Sequence, residues 1–174
     1  MDTAEVNALR LEMVRLQIEA RGIQDTAVLR AMEEVPRHRF VPGAPPAHAY
    51  GDYPLPIGHG QTISQPYIVA LMTEALRVSA ADRVLELGTA TGYSAIYLAQ
   101  ACRETGGQLV TIEYDPALAR RAQANLTEAG VDAVAQIAQA DALAWLAKTT
   151  ARYDFVFMDI EKEDYVKAVP HCER

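Results

Sequence analysis

Val84-Leu85-Glu86-Leu87-Gly88-Thr89-Ala90-Thr91-Gly92 is the stretch on which the reading of the fold turns. Val84 to Leu87 is a short apolar run carrying one acid, the pattern of a buried parallel strand. Two glycines spaced by three residues follow at once, and Tyr93 to Ala101 then reads as a helix. A strand that passes through glycine into a helix sets free backbone N–H groups and a positive helix end beside a ligand. Glycine is suited to that place because a Cβ would hold the ligand away from the backbone. An ordinary strand-to-helix turn could carry the same two glycines. Glu113 raises the odds of a binding loop. It ends the next apolar run, Gln108 to Ile112, at about the separation where nucleotide-binding sheets keep the acid that holds a ribose.

Downstream the chain alternates. Asp115-Pro116 predicts a capped helix running to Ala129 and stopped by Gly130. A strand over Ala133–Ile137, a helix over Ala142–Ala147 and a strand over Tyr153–Met158 follow. Four strands alternating with helices predict an α/β fold with a doubly wound sheet.

Upstream, residues 4–21 predict an amphipathic helix with Val6, Leu9, Met13, Leu16 and Ala20 inward, capped by Asp2 or Thr3 and ended by Gly22. A second helix is expected over Thr26–Val35, capped by Asp25, with Val28, Leu29 and Met32 inward and Pro36 closing it. Both precede the first strand of the sheet, so they are expected to form a cap against one edge. Pro36 to Pro56 holds six of the nine prolines and reads as loop, packed down by Phe40, Val41, Tyr50, Tyr53 and Leu55.

Pro56-Ile57-Gly58-His59-Gly60-Gln61-Thr62-Ile63-Ser64-Gln65-Pro66-Tyr67 then gives a tight loop and a helix running to Leu76, with Pro66 in its first turn. Ser64 admits two readings. It is the N-cap of that helix, or it forms with Thr62 and the uncapped N–H groups an anion site suited to a carboxylate.

The chain has 174 residues, the size of one domain, with half its residues hydrophobic and 22% charged, as in a soluble globular protein. A net charge of −7 argues against nucleic acid as the main partner. No apolar stretch approaches the length of a membrane span, and the N-terminal residues lack the features of a signal peptide. Cys102 and Cys172 have no metal-like spacing, which fits a reduced, cytoplasmic protein.

The motif Glu86-x-Gly88-x-x-x-Gly92 resembles the first motif of class I S-adenosylmethionine-dependent methyltransferases. That resemblance implies a Rossmann-like sheet with S-adenosyl-L-methionine as cofactor. Gly88, Thr89 and Gly92 would face its methionine end, with Glu86 and Ser94 beside them. Glu113 would hold the ribose, and Asp141, in Ala140-Asp141-Ala142, would lie near the adenine amino group. Residues 11–76 resemble a narrower family, the protein-L-isoaspartate O-methyltransferases. The resemblance rests on Gly22-Ile23-Gln24-Asp25, on Val35-Pro36-Arg37-His38-Arg39-Phe40-Val41, and above all on Leu55-Pro56-Ile57-Gly58 through Gln61-Thr62-Ile63-Ser64-Gln65-Pro66-Tyr67. It implies methylation of the free carboxyl of isoaspartyl residues in damaged proteins or peptides, with Ser64 as the active-site residue and Thr62 beside it.

The last part departs from that pattern. Tyr153-Asp154-Phe155-Val156-Phe157-Met158-Asp159 and Glu161-Lys162-Glu163-Asp164-Tyr165 resemble metal-dependent, catechol-type O-methyltransferases, in which the acid matching Asp159 binds a divalent ion. Only half of such a metal site is present, and a solvated acidic turn after the strand accounts for the same residues, so no metal ligand is assigned. Both families continue through three further strands. The C-terminal strands of the sheet are therefore expected to be missing, as in a shortened chain, unless an oligomer covers the exposed edge. The expected layout is one methyltransferase domain, with residues 1–78 as helical cap and substrate loop and 79–174 as cofactor sheet. The competing readings are a catechol-type small-molecule O-methyltransferase and a non-catalytic fragment.

Overall fold

The computed structural model describes residues 3–58 and 60–173; Met1, Asp2, His59 and Arg174 lie outside the described residues. The chain divides into two compact units, which meet at Arg77 and Val78.

The first unit opens with α1 (Ala4–Met13), whose first turn is capped by Thr3: its hydroxyl oxygen accepts the Val6 N–H at 3.3 Å. The helical path continues as a π-segment over Val14–Ile18 and a 3₁₀ turn over Glu19–Arg21, ending at Gly22 with φ +101°. The wider π-turn rotates the inward face relative to a regular α-helix. Met13, Val14 and Ile18 are buried, whereas Leu16 is 50% exposed and Ala20 lies outside. The expected inward positions of Leu16 and Ala20 are thereby corrected. Helix α2 (Thr26–Glu34) starts as expected: one Asp25 carboxylate oxygen accepts the Ala27 and Val28 N–H groups at 2.8 and 3.0 Å.

The proline-rich stretch is less irregular than its composition suggests. A 3₁₀ turn covers Arg37–Phe40, and Pro46 opens a short helix, α3 (Pro46–Ala49). Phe40, Val41 and Tyr50 are buried, while Tyr53 is largely outside. The expected tight loop is a hairpin: β1 (Leu55–Gly58) pairs antiparallel with β2 (Gln61–Ile63), Leu55 opposite Ile63 and Gly58 opposite Gln61. Helix α4 (Pro66–Leu76) follows and completes the unit.

In the second unit four strands form one parallel sheet. These are β3 (Arg83–Leu87), β4 (Gln108–Glu113), β5 (Ala135–Gln139) and β6 (Phe155–Met158). Their order is β5-β4-β3-β6, so the chain winds outward from β3 to β5 and then returns to the other side of β3. That reversal makes the carboxyl end of β3 the place where a doubly wound sheet opens a crevice. The helices are α5 (Tyr93–Thr105), α6 (Pro116–Glu128), α7 (Ala142–Lys148) and α8 (Lys162–Cys172). One face of the sheet, through Leu85, Leu87 and Ile112, packs on Leu146 of α7 and Ala168 of α8.

Several sequence expectations shift here: β6 starts at Phe155 and not at Tyr153, and α5 runs on to Thr105 beyond Ala101. Strand β5 begins two residues late, because Val134 is still in a turn and donates its N–H to the Val131 carbonyl at 3.1 Å. The acidic turn expected after β6 is the start of α8. Glu163 and Asp164 sit in its first turn, where negative charge favours a helix, and Ala168 supplies its buried contact.

Candidate functional site

Loop 88–92 leaves the carboxyl end of β3 with both its glycines in the left-handed region, Gly88 at φ +96° and Gly92 at +84°. The loop is tied to the neighbouring strand, since the N–H groups of Gly88 and Thr89 both reach the Ile112 carbonyl, at 3.0 and 3.1 Å. A Cβ on Gly88 would stand 2.0 Å from the Asp159 carbonyl oxygen, so the main chain after β6 fills that space. A Cβ on Gly92 would press on Ala122 at 3.2 Å, where α6 passes the start of α5. The two glycines therefore serve close packing of the protein's own backbone, a demand that the sequence pattern had suggested came from a ligand. Ala90 also adopts a positive φ of 48°, although it is not glycine. Its N–H is thereby turned to Glu113, whose Oε2 accepts it at 2.8 Å.

Glu86 and Thr111 are partners in the parallel register of β3 and β4, so their side chains share one face of the sheet. The Thr111 hydroxyl donates to Glu86 Oε2 at 2.6 Å, and the Ser94 hydroxyl from α5 donates to Oε1 at 2.5 Å. The Thr89 hydroxyl is hydrogen-bonded to that of Thr111. With the Thr111 proton committed to Glu86, the Thr89 hydroxyl must be the donor in that last bond. Glu86 is fully buried, and its carboxylate is taken up by Ser94 and Thr111, so it anchors the loop from beneath. Burial raises its pKa to about 7, against the lowering effect of the two hydroxyls; Asp159 and Glu113 add a smaller upward push.

A carboxyl group whose folded pKa lies above its unfolded value binds its proton more tightly in the folded state. Stability then falls as pH rises from the unfolded pKa towards the folded one. The expected result is that the wild-type chain loses about 2–3 kcal/mol through Glu86 between pH 5 and pH 8. Glu86→Gln should remove that loss, and urea melts of both proteins at the two pH values measure the difference. Equal pH slopes would show that Glu86 does not titrate in this range.

Glu113, at the end of β4, is also buried, and each carboxylate oxygen accepts one backbone N–H: Oε2 from Ala90 and Oε1 from Asp115 at 2.9 Å. An ionised carboxylate has about four acceptor positions, so further donors can still be met. Asp141 is exposed and caps α7, its Oδ1 accepting the Ala144 N–H at 2.8 Å. Asp159 follows β6 and donates its backbone N–H to the Leu87 carbonyl at 2.9 Å. Its side chain reaches the surface yet is desolvated enough to raise its pKa. Among the described residues no group of three His, Cys, Asp or Glu side chains is arranged to hold a metal ion.

In the first unit Ser64 is not the cap of α4, which corrects that reading. The cap position is Gln65, and its side chain makes no capping bond. Asp52, from the loop before the hairpin, takes over that task. Its Oδ1 accepts the Tyr67 N–H at 3.0 Å, and its Oδ2 accepts Gln65 Nε2 at 2.7 Å and pairs with the Arg21 guanidinium. Arg21 also lies over the Tyr67 ring, 3.5 Å from its centroid. Ser64 is half-buried, and its hydroxyl makes no hydrogen bond with another described residue; Thr62 is exposed on β2. Sequence reasoning missed Asp52 and Arg21. One signal was available: Gln65 is a poor capping residue, so the helix had to be capped from elsewhere.

The order of strands and the glycine loop at the sheet's reversal define the second unit as a Rossmann-like methyltransferase fold, and solved structures agree. A protein-L-isoaspartate O-methyltransferase superposes with a TM-score of 0.71 at 25% identity, covering 86% of this chain and 48% of that one. The O-methyltransferase TomG from Streptomyces achromogenes, solved in complex with SAM, superposes with a TM-score of 0.60 at 28% identity over 99% of this chain and 69% of that one. Among curated proteins, the protein-L-isoaspartate O-methyltransferase of Methanospirillum hungatei is 54% identical over 130 residues, which are 75% of this chain and 58% of that protein. The family model for protein-L-isoaspartate(D-aspartate) O-methyltransferase matches residues 9–169, and the chain belongs to that family. The chain spans just over half the length of the curated relatives it matches. Among the described residues no helix is long and apolar enough to cross a membrane.

Proposed function

We propose that this chain is an S-adenosylmethionine-dependent O-methyltransferase acting on the free carboxyl of L-isoaspartyl residues in damaged proteins and peptides. In this reading residues 79–174 bind the cofactor and residues 1–78 present the acceptor within one methyltransferase domain. The observation that carries it is the Ser64 turn. A family match that includes this turn coincides with a hydroxyl that makes no hydrogen bond to another described residue, while Asp52 meets the helix's need for a cap.

The donor set in the second unit fits the cofactor. Glu113 keeps acceptor capacity on both oxygens for a ribose diol, and loop 88–92 supports it through the Ala90 N–H. Thr89 and Ser94 would hold the loop in place through Glu86, and Asp141, the cap of α7, would lie near the adenine amino group. S-adenosylmethionine supplies an electrophilic methyl group on a sulfonium. The acceptor carboxylate is already ionised near neutral pH and needs no general base. What remains for the protein is to desolvate that carboxylate, orient one oxygen and exclude water. Ser64 suits this as a hydrogen-bond donor, with Thr62 beside it.

The test is an acceptor panel with and without EDTA. Methyl transfer to an isoaspartyl peptide should proceed equally in both, and a catechol should accept nothing. Transfer to the catechol that EDTA abolishes would overturn the reading.

The corrected position of Ser64 sharpens its own test. Ser64→Ala removes no capping bond, so the melting temperature should stay within about 2 °C of wild type, well below the effect of a lost cap. Methyl transfer to the isoaspartyl peptide should nevertheless fall at least about tenfold, the scale of one lost hydrogen bond to a charged group. Wild-type transfer in the Ser64→Ala protein would remove Ser64 from the reaction.

A further inference from the structure

Asp52 is held more firmly than a surface loop residue requires. The loop around it is pinned from several directions inside the first unit. Arg37, fully buried, donates from Nε to the Ala49 carbonyl at 2.8 Å and from a terminal nitrogen to the Tyr53 carbonyl at 3.3 Å. Gln17 Nε2 donates to the Tyr50 carbonyl at 3.2 Å, and the Tyr50 hydroxyl meets His38 Nδ1 at 2.8 Å. A buried guanidinium is costly to desolvate, and here two of its nitrogens donate to carbonyls that flank Asp52 on both sides. The product of that pinning is a carboxylate fixed against the first turn of α4, touching Gln65 and Tyr67 on either side of Pro66 and immediately after Ser64.

That arrangement raises an electrostatic difficulty for a turn that receives an anionic acceptor. The Asp52 carboxylate satisfies the helix start, yet its negative charge would repel a second carboxylate. Arg21 answers it. Its guanidinium pairs with Asp52 Oδ2 and lies over the Tyr67 ring, with 43% of its side chain still exposed against 17% for Asp52. The pair thus presents its cationic side outward and keeps its anionic side inward.

We infer that Asp52 is a positioning residue for the Ser64 turn, and that Arg21 is the charge partner that lets this turn accept a carboxylate. Asp52 acts through the Gln65 side chain and the Tyr67 N–H. Arg21 acts by cancelling the charge of Asp52 and offering a cation at the approach. This inference rests on the carboxyl-methylation reading, and its test separates the two.

Steady-state methyl transfer to an isoaspartyl peptide is measured for wild type, Arg21→Gln, Arg21→Lys, Asp52→Asn and the double variant Arg21→Gln/Asp52→Asn, with a thermal melt of each. Arg21→Gln leaves the Asp52 charge uncompensated and should raise KM roughly three- to tenfold with kcat little changed. Arg21→Lys, which keeps the charge, should stay near wild type. In the double variant the uncompensated charge is gone, so KM should fall back below that of Arg21→Gln. A residue with only a structural role would not show this charge rescue, because removing two contacts costs more than removing one. An unchanged KM in Arg21→Gln, or a double variant no better than the single one, overturns the inference while wild-type activity upholds the carboxyl-methylation reading. A folded wild-type chain that methylates no isoaspartyl peptide overturns both.

Discussion

Gly88→Val is expected to abolish the cooperative melt of the second unit. At φ +96° any L-residue is strained, and the new Cβ would lie 2.0 Å from the Asp159 carbonyl oxygen. That carbonyl cannot simply retreat. Its residue pairs its own N–H with the Leu87 carbonyl at 2.9 Å, one residue before Gly88, so a shift breaks the joint between β3 and β6. The loss should exceed about 3 kcal/mol, among the larger effects of a single substitution. Gly88→Ala should act in the same direction, since the Cβ alone makes the collision. A Gly88→Val protein that melts within a few degrees of wild type would mean that the strand-to-helix junction at Asp159 is placed wrongly.

The second large effect is expected at Glu113. Its carboxylate binds the Ala90 and Asp115 N–H groups and, in the proposed reading, the ribose hydroxyls as well. Glu113→Ala should weaken S-adenosylhomocysteine binding tenfold or more, since hydrogen bonds to a charged group are worth roughly 1.5–3 kcal/mol. It should also lower stability, because two backbone donors lose their acceptor. Calorimetry with S-adenosylhomocysteine and with its 2′,3′-dideoxy analogue separates these effects. Wild type should favour the hydroxylated ligand strongly, and Glu113→Ala should show little preference. If the folded variant keeps the wild-type preference, another group holds the ribose.

The sheet was legible because its signals are local. Strand β4 has the expected limits, Gln108–Glu113, and Asp115-Pro116 starts α6 as its capping chemistry requires. The same holds for Asp25 and α2. What escaped the sequence depends on contacts between distant residues or on irregular helix geometry. The π-segment at Val14–Ile18 moves the buried face away from Leu16, and no period in the sequence announces it. Helix α8 was hidden by its acidic start and by Pro170, while its apolar contact is the small Ala168. Asp52 reaches Arg21, Gln65 and Tyr67 across separations of 31, 13 and 15 residues, which no local pattern encodes.

The candidate site was legible in a similar way. Gly88, Gly92, Glu86, Ser94, Thr89 and Glu113 lie together around the end of β3, the residues that the resemblance to class I methyltransferases had singled out. Their division of labour was not legible. Glu86 reads in sequence as a residue beside the ligand, but in the structure its carboxylate is buried and bonded to Ser94 and Thr111. Thr111 itself carried no sequence signal, because a threonine in a strand is ordinary until its register partner is known to be a buried acid.

Methyl incorporation into two peptides of identical sequence, one with an L-isoaspartyl linkage and one with a normal aspartyl linkage, tests the proposed activity most directly. The expected result is a base-labile methyl ester on the isoaspartyl peptide alone, with stoichiometric S-adenosylhomocysteine. Equal methylation of both peptides, or of neither by a folded, cofactor-binding chain, would contradict carboxyl methylation of isoaspartyl residues as its function.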